Sequence, residues 1–170
     1  AATPPSVPPT PATNSAGNAA HNLGYQEIQS TKPQTLGQGR SDSPVALASW
    51  IIEKWYGWSD HDGDVEKTIA RDDLLTNVMI YWVTQTIHTA ARAYRANARV
   101  ARGGTIEQSS LVPAAVAHCP YDPPLPREWA ARQVNLVHFT DFPRGGHFMA
   151  WEEPELYAAD LQDFMRALRA

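Results

Sequence analysis

Apolar residues recur along the chain in two rhythms. Behind Ser43-Pro44, the residues Val45, Leu47, Ala48, Ile51, Ile52 and Trp55 follow the spacing of one helix face. Ser43 suits the cap, Pro44 suits the first helical position, and Gly57 is a plausible stop. Asp72-Asp73 opens a longer predicted helix, DLLTNVMIYWVTQTIHTAARAYRAN. Its first part is apolar nearly all round, at Leu74, Leu75, Val78, Met79, Ile80 and Trp82, which predicts burial. Gly103-Gly104 ends that region. The rhythm then shortens. Leu111–Cys119 (LVPAAVAHC) and Val134–Thr140 (VNLVHFT) read as strands, with one or two helical turns at Arg127–Arg132 between them. Glu153-Pro154 begins a last amphipathic helix, with Leu156, Tyr157, Leu161, Phe164, Met165 and Leu168 on one face. Strand, helix, strand, turn and helix in that order predict a parallel β-pair.

Composition narrows the possible partners. The 170 residues carry a net charge of −4, so nothing attracts a phosphate backbone or an anionic membrane, and no nucleic-acid partner is expected. No apolar run reaches the roughly 20 residues of a membrane span. A single cysteine, Cys119, excludes a disulfide framework and a multi-thiolate metal site. Residues 1–20 hold Pro4, Pro5, Pro8, Pro9 and Pro11 and almost no large apolar side chain, which predicts an extended arm or linker. No signal-peptide pattern is present, so the default location is cytoplasmic.

The chemistry concentrates in two loops. Asp122 follows the first predicted strand and His147 the second. Catalytic groups gather at the carboxyl ends of parallel strands, so adjacent strands would bring this acid and imidazole together. A carboxylate on one ring nitrogen fixes the tautomer and frees the other nitrogen to act as a base. Topology alone fits a loop aspartate and a turn histidine without chemistry equally well.

The run PRGGHFMAWEEPELYAADLQDFM resembles the end of epoxide hydrolases of the α/β-hydrolase fold, in their microsomal-type branch, which carries GGHF-A-x-E-x-P at its catalytic histidine. GYQEIQSTKPQTLGQGRSDSPVALASWIIEKW resembles that family's GY-x-x-IQ-x-TKP-x-T block and the helix after it. DDLLTNVMIYWVTQTI resembles its long cap helix, and VPAAVAHCPYD the strand leading to its catalytic acid. The resemblance runs from about Gly24 to Leu168. It implies the later part of an α/β-hydrolase fold: a helical cap over residues 21–104 and the last core strands and helix over 105–170. It places His147 as general base, Asp122 as its acid partner, and Tyr25 and Tyr94 as donors to the epoxide oxygen. No metal or organic cofactor is implied. The implied substrates are water and a small, hydrophobic epoxide, the latter in keeping with Trp50, Trp55, Trp58, Trp82 and Trp151.

One part of the pattern is missing. The family's nucleophilic aspartate sits in a GGDWG-like elbow, and neither that motif nor an HG-x-P oxyanion loop occurs here. Asp42 lies inside the cap-like block and is a poor substitute. The reading therefore expects an N-terminal polypeptide that carries the nucleophile. The alternatives are a non-catalytic binding or structural fragment, and hydrolysis of an ester or carbon–halogen bond on the same fold. Other motifs are set aside. Asp60, Asp62 and Asp64 lack the calcium-loop order, because Gly63 precedes Asp64, and read as a solvated loop. His118-Cys119 reads as strand packing. Gly39–Ser43 and Gly37-Gln38-Gly39 lack a preceding strand.

Overall fold

The computed structural model describes residues 23–103 and 111–169. The predicted arm at 1–20 and the junction between the two predicted regions lie outside them. Three helices follow one another with sharp corners: α1 (Gly24–Thr31), α2 (Pro33–Asp42) and α3 (Pro44–Trp58). Each corner precedes a proline, which cannot prolong the helix before it but fits the first turn of the next. Ser43 caps α3 as its sequence predicts, its Oγ accepting from the Ala46 amide at 3.2 Å. Helices α1 and α2 were not evident in the hydrophobic rhythm, because Gly37, Gly39 and several polar residues dilute it.

The long predicted helix is two helices, α4 (Arg71–Thr84) and α5 (Ile87–Gly103). Gln85 adopts the left-handed conformation, with φ 53°. Its side chain and backbone both donate to the Trp82 carbonyl, at 2.7 and 3.3 Å, and the Thr86 amide donates to Tyr81. Closing the terminal carbonyls this way ends α4 and turns the chain back. Burial on α4 is also narrower than predicted. Leu74 and Val78 are buried, but Leu75, Met79 and Ile80 are exposed.

Two clusters hold the helices together. Trp55, Val65, Ile69 and Leu74 form one; Leu47, Val78 and Ile87 form the other, and Ile51 packs against both. Arg40 is buried between α1 and α3, donating to Gln29 and the Leu36 carbonyl with its guanidinium 4.1 Å over Trp50. Burial pushes its pKa down to about 10.

The sheet part is small: β1 (Pro113–His118), α6 (Arg127–Gln133), β2 (Asn135–Asp141), α7 (Met149–Glu152) and α8 (Pro154–Ala167). The strands pair in parallel, as predicted, from Pro113 opposite Asn135 to His118 opposite Asp141. Asp160 pins α8 to β2, accepting from His138 at 2.7 Å and Thr140 at 2.5 Å. The predicted apolar face of α8 is present but open, with no residue of the helix buried. Among the described residues no helix is long and apolar enough to cross a membrane.

Candidate active site

Asp122 and His147 leave the same end of the sheet. A tight turn after β1, closed by the Asp122 amide donating to the Cys119 carbonyl at 3.1 Å, presents the carboxylate. The turn after β2 presents the imidazole. His147 Nδ1 donates to Asp122 Oδ1 at 2.9 Å, which leaves Nε2 as the free ring nitrogen. The Asp122 hydrogen bond holds the His147 pKa above the usual imidazole value. Burial opposes this, and the charges of Asp122 and Glu152 add to it.

The His147 turn is built by its backbone. Gly145 takes a positive φ of 98°, where a side chain is strained. At Gly146 a Cβ would lie 2.5 Å from the Trp58 carbonyl oxygen and 2.7 Å from the Asp60 nitrogen. Gly146 therefore lets the turn lie flat against the end of α3, while a Cβ at Gly145 would meet the Met149 sulfur at 2.6 Å. Four consecutive amides are bonded there. Gly145 donates to Asp60 Oδ2 at 3.0 Å, Gly146 to Glu152 Oε2 at 2.8 Å, His147 to the Trp58 carbonyl at 2.9 Å, and Phe148 to Glu152 Oε1 at 2.8 Å. Phe148 also stacks on Trp55, with centroids 3.7 Å apart.

Tyr25 and Tyr94 meet edge to face across α1 and α5, with centroids 5.7 Å apart. Burial, then the neighbouring Tyr94 phenol, pushes the Tyr25 pKa up to about 12, so it stays a neutral donor across the physiological range. Trp58 joins the tyrosines to the histidine, its ring 5.4 Å from that of Tyr25 and 5.1 Å from that of His147. The four predicted site residues thus lie along one continuous row, Tyr94–Tyr25–Trp58–His147–Asp122. A shallow depression of about 460 Å³ lies elsewhere, on the outer face of α4, and none of the four lines it. Asp42 is exposed at the end of α2, and among the described residues no strand precedes it.

No family model matches the chain. Curated relatives do. The chain is 39% identical over 153 residues to a putative epoxide hydrolase of Stigmatella aurantiaca, and 37% identical over 163 residues to epoxide hydrolase 1 of Sus scrofa. These alignments cover 88% and 85% of this chain and 34% of each relative, so the chain spans about a third of the length of the curated relatives it matches. Among solved structures, the juvenile hormone epoxide hydrolase of Bombyx mori superposes with a TM-score of 0.76 at 31% identity, over 88% of this chain and 40% of that one. An enantioselective mutant of the Aspergillus niger epoxide hydrolase gives 0.73 at 31% identity, over 98% and 44%. The chain is similar to the C-terminal part of epoxide hydrolases. Its fold is the later part of an α/β-hydrolase fold.

Seen against these epoxide hydrolases, several residues around the row carry no strong mark in the sequence. Trp58 reads there as one aromatic among many. Lys54 is 14% exposed, and its Nζ lies 4.7, 5.6 and 6.0 Å from the ring centroids of Tyr25, Trp50 and Trp58, with Glu53 as its ion-pair partner. Asp60 belongs to a segment read as a solvated loop, yet it is half-buried and its carboxylate binds the Gly145 amide. Glu152 sits inside the histidine motif, but nothing in a linear pattern says that it reaches Asp60, 92 positions away.

Proposed function

We propose that the chain provides the base, the acid partner and the epoxide-polarising tyrosines of an epoxide hydrolase. In this reading residues 21–104 are its cap and 105–170 the end of its core. The observation that carries the proposal is the His147–Asp122 hydrogen bond of 2.9 Å, set at the end of the tyrosine row. The nucleophile comes from an N-terminal polypeptide that supplies the earlier strands. Two strands with exposed apolar residues on the helix beside them make a poor sheet alone, which favours further strands.

The chemistry divides into two displacements. A carboxylate of the N-terminal polypeptide attacks an epoxide carbon. The ring carbon–oxygen bond breaks, and its electron pair goes to the oxygen. Tyr25 and Tyr94 donate hydrogen bonds to that oxygen, and one phenol passes it a proton, leaving an ester and a hydroxyl. His147 Nε2 then takes a proton from water as the oxygen attacks the ester carbonyl. The acyl–oxygen bond breaks and the imidazolium gives its proton to the departing alkoxide oxygen, which completes the vicinal diol. The second proton of the water, left on the carboxyl group, returns to the phenolate, which restores both the carboxylate and the tyrosine. Asp122 stabilises that imidazolium without accepting its proton. The aromatic walls suit an apolar epoxide.

The test is reconstitution with a polypeptide carrying the aspartate elbow, followed by conversion of an aryl epoxide to its diol. The chain alone is expected to turn over nothing, and the mixture to be active. His147→Gln should cut turnover by about 10³-fold and let the ester accumulate, visible as a mass increase on the N-terminal polypeptide. Tyr25→Phe and Tyr94→Phe should each cost about 10²-fold. Turnover by the chain alone that survives Asp42→Ala would sink the supplied-nucleophile reading.

A further inference from the structure

Glu152 gathers more of the site's backbone than any residue assigned a role above. Its Oε2 accepts from the Asp60 amide at 2.7 Å and the Gly146 amide at 2.8 Å, while its Oε1 accepts from the Phe148 amide at 2.8 Å. Gly146 and Phe148 flank His147. Asp60 belongs to the loop after α3, and Trp58 ends that helix. The carboxylate is half-buried, and all three bonds are short and charge-assisted. The clasp is reciprocal, because Asp60 Oδ2 accepts from Gly145 and the Trp58 carbonyl accepts from His147.

We propose that Glu152 is the positioning residue of the site, its carboxylate clamping the His147 turn to the Asp60 loop and so setting where the imidazole stands against Trp58 and Tyr25. The role rests on the reading of His147 as the base, and it adds to the Trp58 ring contact a backbone clasp that holds the His147 turn against the loop after α3. A carboxylate suits it because both oxygens accept, and three amides converge on them. A glutamine keeps the shape but turns one acceptor into a donor that faces an N–H group. An aspartate keeps the charge but is one methylene short.

The test uses the chain as it is and reads the clasp directly by NMR. In the unaltered protein the Asp60, Gly146 and Phe148 amides should exchange with solvent about 100-fold more slowly than open turn amides. Exchange at the open-turn rate overturns the proposal, and this arm needs no variant to fold. In Glu152→Gln the three amides should lose at least about tenfold of that protection. The His147 ring protons, shifted by the Trp58 ring, should move toward their unstructured positions, while the His138 ring signals between β2 and α8 stay in place. A folded Glu152→Gln protein that keeps both the protection and the ring shift also overturns it. None of these readouts needs an epoxide, so failure of the clasp is distinguishable from failure of the proposed activity.

Discussion

Leu47 of α3 and Leu74 of α4 are 0% and 3% exposed, whereas Leu161 on α8 and Leu168 at its C-terminal cap are 47% and 43% exposed. All four sit on apolar faces of helical periodicity. The helical region covers one face of its helices, because α3 and α4 lie against each other and α5 returns against α1 and α2, while Leu75, Met79 and Ile80 stay exposed on the far side of α4. Among the described residues the sheet region offers α8 two strands, and much of its apolar face stays open. Periodicity thus tells which way a helix faces; whether that face is covered depends on what else the fold supplies. The row from Tyr94 to Asp122 crosses between the two regions, with its tyrosines on the helical side and His147 on the sheet side.

The comparison can be broken by substitution. Leu47→Ala should lower unfolding stability by about 3 kcal/mol in thermal or denaturant unfolding, since a fully enclosed leucine leaves a cavity. A cost under about 1 kcal/mol would mean that the helical region is not the tightly packed half. Gly146→Ala should come next, at about 2 kcal/mol, because its Cβ meets backbone of both the Trp58 and Asp60 positions rather than a yielding side chain. It should also loosen the seam selectively, moving the His147 signals before those of α4. Leu161→Ala should cost less than about 1 kcal/mol in this chain, and clearly more once an N-terminal polypeptide covers the sheet. An equal cost in both states would argue against added strands over α8.

The smallest effect is in pH. The folded-state pKa of His147 is raised, chiefly by its hydrogen bond to Asp122. The pair therefore stabilises the fold fully below the unfolded imidazole value of about 6.5, and this contribution is lost as pH rises through the higher folded value. The His147 side chain is 51% exposed, so solvent keeps the contribution under about 1 kcal/mol. Asp122→Asn should be less stable than the parent protein below about pH 6, with the two curves converging at higher pH. Curves that run parallel at all pH values would remove the ion pair from the account.

Much of this is legible in the sequence. Ser43-Pro44 and Glu153-Pro154 mark helix starts through capping and proline geometry, which act within a few residues. The two strands and their parallel pairing follow from the alternation of elements, and that pairing already brings Asp122 toward His147. Resemblance to a known family named Tyr25 and Tyr94, which periodicity alone would leave as packing residues. The break at Gln85 was not legible, because a glutamine is seldom left-handed and is held so here by the carbonyls it closes. Nor was the clasp of Glu152 on Asp60 and the His147 turn, since no local rule links residues 92 positions apart. By itself the sequence determined the helix starts at Pro44 and Pro154, the two strands and their order, and the chemical groups at their ends, because those depend on neighbours along the chain. Only the tertiary structure decided which apolar faces are covered and which backbone holds the histidine, because both depend on groups distant in sequence arriving at the same place.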